Sequence, residues 1–213
     1  MTDPSDRFSQ PTRRAVAAGI AATGLIGAGI TAAQPGKPAF AGADYPPTQG
    51  EMQGFVLLKE RAPAPNQSFF DGDDNVRHFS DFAGEVLLVN FWATWCAPCI
   101  KEMPSLARLD AALKDAPFRL LAVSQDRGGK DVAEPFIRDR LNLPDLQMFY
   151  DPKLKLGRSL GVRGLPSTYL IDANGRLVGG LTGPAEWDGD DALALIRHVL
   201  AEGGTPKNAT TET

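Results

Sequence analysis

Val86-Leu87-Leu88-Val89-Asn90-Phe91-Trp92-Ala93-Thr94-Trp95-Cys96-Ala97-Pro98-Cys99 is the stretch on which the reading of this chain turns. Its first half, Val86 to Trp92, is rich in β-branched and aromatic residues and reads as a buried strand. Beyond it, Ile100, Met103, Leu106, Leu109 and Leu113 recur at three- and four-residue steps, one face of a helix. The only two cysteines of the chain therefore stand at the mouth of a helix and one turn inside it. Unpaired N–H groups and the positive dipole end favour a thiolate there, moving a thiol from about 8.5 towards roughly 7. Cys96 is expected to attack substrate disulfides, and Cys99, the more enclosed, to resolve the mixed disulfide.

Two other uses of a cysteine pair fit less well. A structural zinc site takes about four ligands, and beside one Cys-x-x-Cys the chain offers only His78 and His198, at no ligand-like spacing. A purely structural disulfide closing so short a loop constrains the unfolded chain very little, and a chain of this length does not need such a staple. Redox chemistry is the reading that the strand–helix context favours.

The 213 residues allow one well-filled domain with appendages, and a net charge of −4 gives no reason to expect nucleic acid as a partner. The first forty residues differ in kind. Arg13-Arg14 precede an uncharged run from Ala15 to Ala33, and Ala39-Phe40-Ala41 closes the stretch with small residues. Positive flank, apolar middle and A-x-A end are the parts of an export signal, by the general or the twin-arginine route. Gly19, Gly24, Gly27 and Gly29 weaken the run as a membrane span; an uncleaved anchor with residues 15–33 in the inner membrane is the alternative. Both place the domain in the periplasm or cell envelope. The expected organisation is residues 1–41 as signal or anchor, 42–54 as linker, 55–202 as the folded domain and 203–213 as a polar, disordered tail.

Within the domain the pattern predicts a short strand at Phe55 to Leu58 and a hairpin from Asn66 to Gly84 around Asp71-Gly72-Asp73-Asp74. The first central strand and a helix from Cys96 to Lys114, interrupted by Pro104, follow. Next come a strand at Phe118 to Ser124, a helix at Val132 to Leu141 with Pro135 in its first turn, a strand at Leu146 to Tyr150 and a short helix at Leu154 to Leu160. Ser167 to Ile171 and Leu177 to Leu181 flank Asp172-Ala173-Asn174-Gly175, a strong hairpin turn. Asp190 to Ala201 closes the domain as a helix with Leu193, Ile196, Val199 and Leu200 inward. Strands joined by helices, then an antiparallel hairpin and a last helix, predict a three-layer α/β fold with a mixed central sheet. On spacing alone Pro166, opening a strand in Leu165-Pro166-Ser167, reads as an ordinary trans residue.

Phe91-Trp92-Ala93-Thr94-Trp95-Cys96-Ala97-Pro98-Cys99 together with Gly164-Leu165-Pro166-Ser167-Thr168 resembles the thioredoxin superfamily. Lys101-Glu102-Met103-Pro104, the extra helix–strand between Ser124 and Tyr150, and Gly183-Pro184-Ala185-Glu186-Trp187 are similar to its TlpA/ResA/CcmG branch of extracytoplasmic reductases. The resemblance covers about Asn66 to Leu200. It implies a thioredoxin-like fold with an N-terminal β-hairpin and a central helix–strand insertion. It also implies that Pro166 is cis and faces the disulfide, and that the backbone of Leu165 pairs with a substrate strand beside Cys96.

Asn90 stands where thioredoxin carries a buried Asp as proton acceptor, and Asn cannot ionise. The resemblance makes Glu102 its replacement, a carboxylate under the active site; by residue type alone it is equally an exposed first-turn Glu favoured by the helix dipole. The catalytic candidates are thus Cys96, Cys99, Glu102 and Pro166, and the substrate-contact candidates Trp95, Ala97, Pro98 and Leu165. Trp92 reads as a core or rim aromatic, Trp187 and Lys101 as structural or surface, and both histidines as surface.

The expected activity is that of a thiol–disulfide oxidoreductase working as a reductant, without cofactor or metal beyond the Cys96–Cys99 disulfide. The resemblance implies apo-cytochrome c or the copper-site proteins of cytochrome oxidase as clients, a membrane electron donor of the DsbD/CcdA kind, and a monomer. The rival reading is a copper-site assembly factor that holds rather than turns over, although soft ligands are few. A peroxiredoxin-like peroxidase is a third, but its P-x-x-x-T-x-x-C context is absent.

Overall fold

A computed structural model describes residues 46–203; the expected signal or anchor, the start of the linker and all but the first residue of the tail lie outside the described residues. Among the described residues one sheet of eight strands forms: β1 (Val56–Leu57), β2 (Phe69–Phe70), β3 (Val76–Arg77), β4 (Val86–Trp92), β5 (Phe118–Ser124), β6 (Met148–Tyr150), β7 (Ser167–Ile171) and β8 (Leu177–Thr182). Their order across the sheet is β1-β8-β7-β4-β5-β6-β2-β3. β4, β5 and β6 run parallel, and every other pairing is antiparallel. Four helices accompany the sheet: α1 (Ala97–Ala112), α2 (Lys130–Pro135), α3 (Lys155–Ser159) and α4 (Asp190–Ala201). The mixed α/β fold expected from the sequence is the one observed.

β4 explains the three layers. All seven of its residues are buried, and because successive side chains point to opposite faces they feed two separate cores. Val86, Leu88 and Trp92 pack with Met103, Leu106 and Leu109 of α1 and with Leu195, Ile196 and Val199 of α4. Leu87, Val89 and Phe91 join a second core with Phe69, Phe79, Phe82, Phe149 and Leu156. A strand covered on both faces reads as a continuous apolar run, which is why it is legible in the sequence. The one break in that run, Asn90, falls on the α1 face.

Four expectations need correction. Two residues of the expected linker are buried, Pro46 and Met52: Met52 closes a short helical turn, Gly50–Met52, and is fully buried in the core of the α1 face. Pro104 does not interrupt α1, which continues to Ala112. Pro135 lies at the end of α2 rather than in its first turn, because that helix already begins at Lys130 after Gly129, whose φ of 57° suits glycine. Having no N–H to donate, Pro135 is followed by a widened turn, Phe136–Arg140, closed by a bond from Leu141 N–H to Phe136 O. In α4 the fully buried positions are Ala192, Leu195, Ile196 and Val199, whereas Leu193 and Leu200 are half-buried at its edge.

Candidate active site

The central strand β4 delivers the chain to the C-terminal end of the parallel strands, and α1 starts there. Cys96 is the residue that caps α1: its backbone is extended (φ −91°, ψ 95°), and its sulfur accepts from the Cys99 N–H at 3.4 Å. Cys96 and Cys99 form a disulfide with their Cα atoms 5.3 Å apart. Cys96 keeps 5% of its surface exposed and Cys99 none, so an incoming sulfur can reach only the first. Ala97 and Pro98 between them are exposed, and Pro98 at the second helical position loses no hydrogen bond by lacking an N–H. The disulfide thus lies at the helix end where anions are favoured and where a partner backbone can approach.

The approach to Cys96 is held by a carboxylate. Asp126, 4% exposed and just past the end of β5, accepts from the Thr94 N–H at 2.9 Å, the Thr94 hydroxyl at 2.8 Å and the Ser124 hydroxyl at 2.9 Å. The turn is completed by Cys96 N–H donating to Ala93 O. This fixes the loop between β4 and α1 from behind and leaves Trp95 projecting, 71% exposed.

Glu102, 2% exposed, lies on the same side of α1 as Cys99 one turn earlier. Its carboxylate is enclosed by three donors, one from β4 and two from the loop between β8 and α4. Asn90 Nδ2 on β4 donates to Oε1 at 2.8 Å; the Ala185 N–H at 3.1 Å and the Trp187 indole N–H at 3.3 Å donate to Oε2. Asn90 is in turn held by Thr168 Oγ1 at 2.9 Å, its cross-strand neighbour on β7, while the Asn90 Oδ1 atom is buried without a partner. Loss of solvent pushes the Glu102 carboxyl up from 4.5 to about 7; the hydrogen bonds from Asn90, Ala185 and Trp187 pull against that, and the charge of Glu186 adds to it. A group poised there can take and return a proton at neutral pH. The buried position excludes the exposed first-turn alternative for Glu102.

Pro166 precedes β7, and the Leu165–Pro166 peptide bond is cis, as the resemblance implies and the ordinary trans reading does not. Since Ser167 pairs with Phe91, Pro166 comes level with Trp92 at the end of β4 that leads to Cys96. Leu165, half-buried, shares a groove with Trp95. Lys101 is exposed, and His198 lies 3.6 Å from Glu202. His78 opens the turn Phe79–Phe82, where its N–H donates to Asp81. None of these three is joined to the sulfur pair by a hydrogen bond or ion pair that the structure shows.

Trp187, expected to be structural or surface, is structural: it is fully buried against Glu102, and its backbone N–H donates to Ser105 Oγ at 3.1 Å. Bidentate pairing of Arg108 with Asp188, at 2.6 and 3.2 Å, ties the same loop to α1. A buried Trp has to place its indole N–H, and an acid on the facing helix is a natural acceptor. That is the signal by which the pair could have been found. Thr168 and Asp126 carry no such signal, since their roles depend on register across the sheet.

The Redoxin family model matches residues 59–196. The chain is 34% identical over 170 residues to the thiol:disulfide interchange protein HelX of Rhodobacter capsulatus, covering 78% of this chain and 84% of that protein. It is 32% identical over 132 residues to the thiol-disulfide oxidoreductase ResA of Bacillus thuringiensis, covering 59% of this chain and 73% of that one. Among solved structures, one from Chlorobium tepidum assigned as the thiol:disulfide interchange protein DsbE matches with a TM-score of 0.59 at 29% identity, over 67% of this chain and 99% of that one. With a reactive-type Cys-x-x-Cys at a helix mouth, this chain belongs to the redoxin family of the thioredoxin superfamily, as a thiol–disulfide oxidoreductase of the TlpA/ResA/CcmG branch.

Proposed function

We propose that the protein is a protein-disulfide reductase of the cell envelope. The observation that carries this is the buried Glu102, held near neutrality in its proton affinity one helical turn from Cys99, in a Cys-x-x-Cys whose outer sulfur alone is reachable. In the dithiol form the Cys96 thiolate attacks one sulfur of a client disulfide. That S–S bond breaks, a mixed disulfide forms, and the departing client sulfur takes up a proton from water. Glu102 then accepts the Cys99 proton. The Cys99 thiolate attacks the Cys96 sulfur, and the second client thiol leaves, protonated in its turn. Two electrons pass to the client, and Cys96–Cys99 is left oxidised. Leu165, beside Pro166, offers its backbone to the client strand, with Trp95, Ala97 and Pro98 as the contact surface.

The return of two electrons requires a dithiol donor, and a membrane protein of the DsbD/CcdA kind suits an envelope location. The N-terminal segment 1–41 supports that location as a cleaved signal or an anchor. Among the described residues no helix is long and apolar enough to cross a membrane. Apo-cytochrome c or a copper-site protein of cytochrome oxidase is the client class suggested by the branch.

The test is mixed-disulfide trapping in envelope extracts. Cys99→Ser should accumulate a covalent adduct on Cys96 that reductant releases, whereas Cys96→Ser should accumulate none. Equal trapping by both variants would overturn the assignment of the nucleophile.

A further inference from the structure

A groove of about 680 Å³ opens beside the active site. It is walled by Trp95, 71% exposed, and Val132, 46% exposed, with half-buried Leu154, Val162 and Leu165. A concave, partly apolar surface next to a reactive centre is where a bound partner is expected to dock. A Trp left standing in water at the rim is the residue type that most often anchors a bound partner.

Two arginines line the same groove: Arg127, in the loop after β5, and Arg163, in the loop before β7. Both are exposed, and among the described residues neither has an ion-pair partner. Arg61, Arg108, Arg119 and Arg138, by contrast, each bind a carboxylate. Among the described residues the one acid in the groove wall, Asp126, has both oxygens engaged by Thr94 and Ser124. The groove thus presents free guanidinium groups in a chain whose net charge is −4, a local charge opposite to that of the whole molecule.

We infer that this groove selects clients in which the reactive cysteine is followed by an apolar side chain flanked by acidic residues: the apolar group covers Trp95 and Val132, and the carboxylates pair with Arg127 and Arg163. Arginine suits this because its planar fork binds a carboxylate through two parallel hydrogen bonds. Such pairs act chiefly on encounter rate and on rejection of wrong partners, which an exchange enzyme acting on transient clients requires. The inference rests on the exchange activity proposed above and adds its client chemistry.

The test uses the reduced protein and two synthetic peptides that close the same disulfide beside the same apolar residue, one flanked by Asp and Glu and the other by Lys. Each kcat/KM is divided by that for bis(2-hydroxyethyl) disulfide, which is too small to span the groove. Two exposed charge pairs should give the acidic peptide a preference of about tenfold at low salt, shrinking as added salt screens the charges. The R127E/R163E double variant should reverse the preference, and Arg163→Ala alone should reduce it. Equal rates for the two peptides, or a preference that survives R127E/R163E, would overturn the inference. If the wild type reduces none of the three disulfides, the exchange activity itself fails. The groove is then judged by Trp fluorescence with the same peptides carrying Ser for Cys: tighter binding of the acidic one supports the inference, equal binding overturns it. A dimer dissolved by R127E/R163E, seen by light scattering, would assign the groove to a second copy and likewise overturn it.

Discussion

Glu102 concentrates the chemistry of this site in one side chain. Its carboxyl rises from 4.5 to about 7 because it has lost solvent, despite three donors aimed at it. The consequence for stability has a definite sign. Between about pH 4.5 and about 7 the unfolded chain has released this proton while the folded protein still holds it, so stability falls as pH rises through that window and is level above it. A shift of this size corresponds to about 3 kcal/mol. Urea unfolding of the oxidised protein at pH 5 and pH 8 should show most of that fall in the wild type and little of it in Glu102→Gln; an equal fall in both would place the titration elsewhere. In the reduced protein the same substitution should shift the thiol titration and slow resolution by about tenfold or more, whereas unchanged Cys96 and Cys99 titrations would remove Glu102 from the mechanism. Glu102 is named through the family resemblance; its place one turn after Cys99 alone leaves an exposed first-turn role equally open. Of its donors, Trp187 carries the signal of a buried indole, whereas Ala185 carries none, because it comes from a loop whose position depends on Arg108, Asp188 and Ser105, none of them distinctive in sequence.

At the scale of elements, the site is the junction of β4 and α1, and its rigidity comes from Asp126 at the end of the neighbouring strand. Three hydrogen atoms, from the Thr94 N–H and the hydroxyls of Thr94 and Ser124, converge on that carboxylate. Asp126→Ala leaves these donors without an acceptor in a mostly buried place, which should cost about 2–4 kcal/mol in chemical denaturation and loosen the loop that carries Trp95. A loss under 0.5 kcal/mol, roughly the scale of a surface change, would show that water replaces the carboxylate there. β4, β5, β7 and α4 could be delimited from sequence, since buried runs, turn residues and an amphipathic period coincide in each. The start of α2 and the docking of Met52 could not. The first depends on a glycine at positive φ, and the second on an apolar surface of α4 and the sheet that the local sequence does not reveal.

For the molecule as a whole, an eight-stranded mixed sheet with apolar cores on both faces provides a stable platform, and the disulfide and Pro166 lie at the same end of its central strands β4 and β7. The redoxin family and relatives named as interchange proteins define a thiol–disulfide oxidoreductase; the direction of electron flow is the claim that the residues must carry. Ala97 and Pro98 bring no charge to stabilise the Cys96 thiolate beyond the helix end itself, and an ionisable carboxylate one helical turn from Cys99 disfavours a second negative charge. Both features disfavour the dithiol form and make it the better electron donor. The most direct measurement is the reduction potential of Cys96–Cys99, by equilibration with glutathione at pH 7. A value below about −200 mV, in the range of reducing partners, is predicted; a value near −120 mV, that of a strong oxidant, would contradict it.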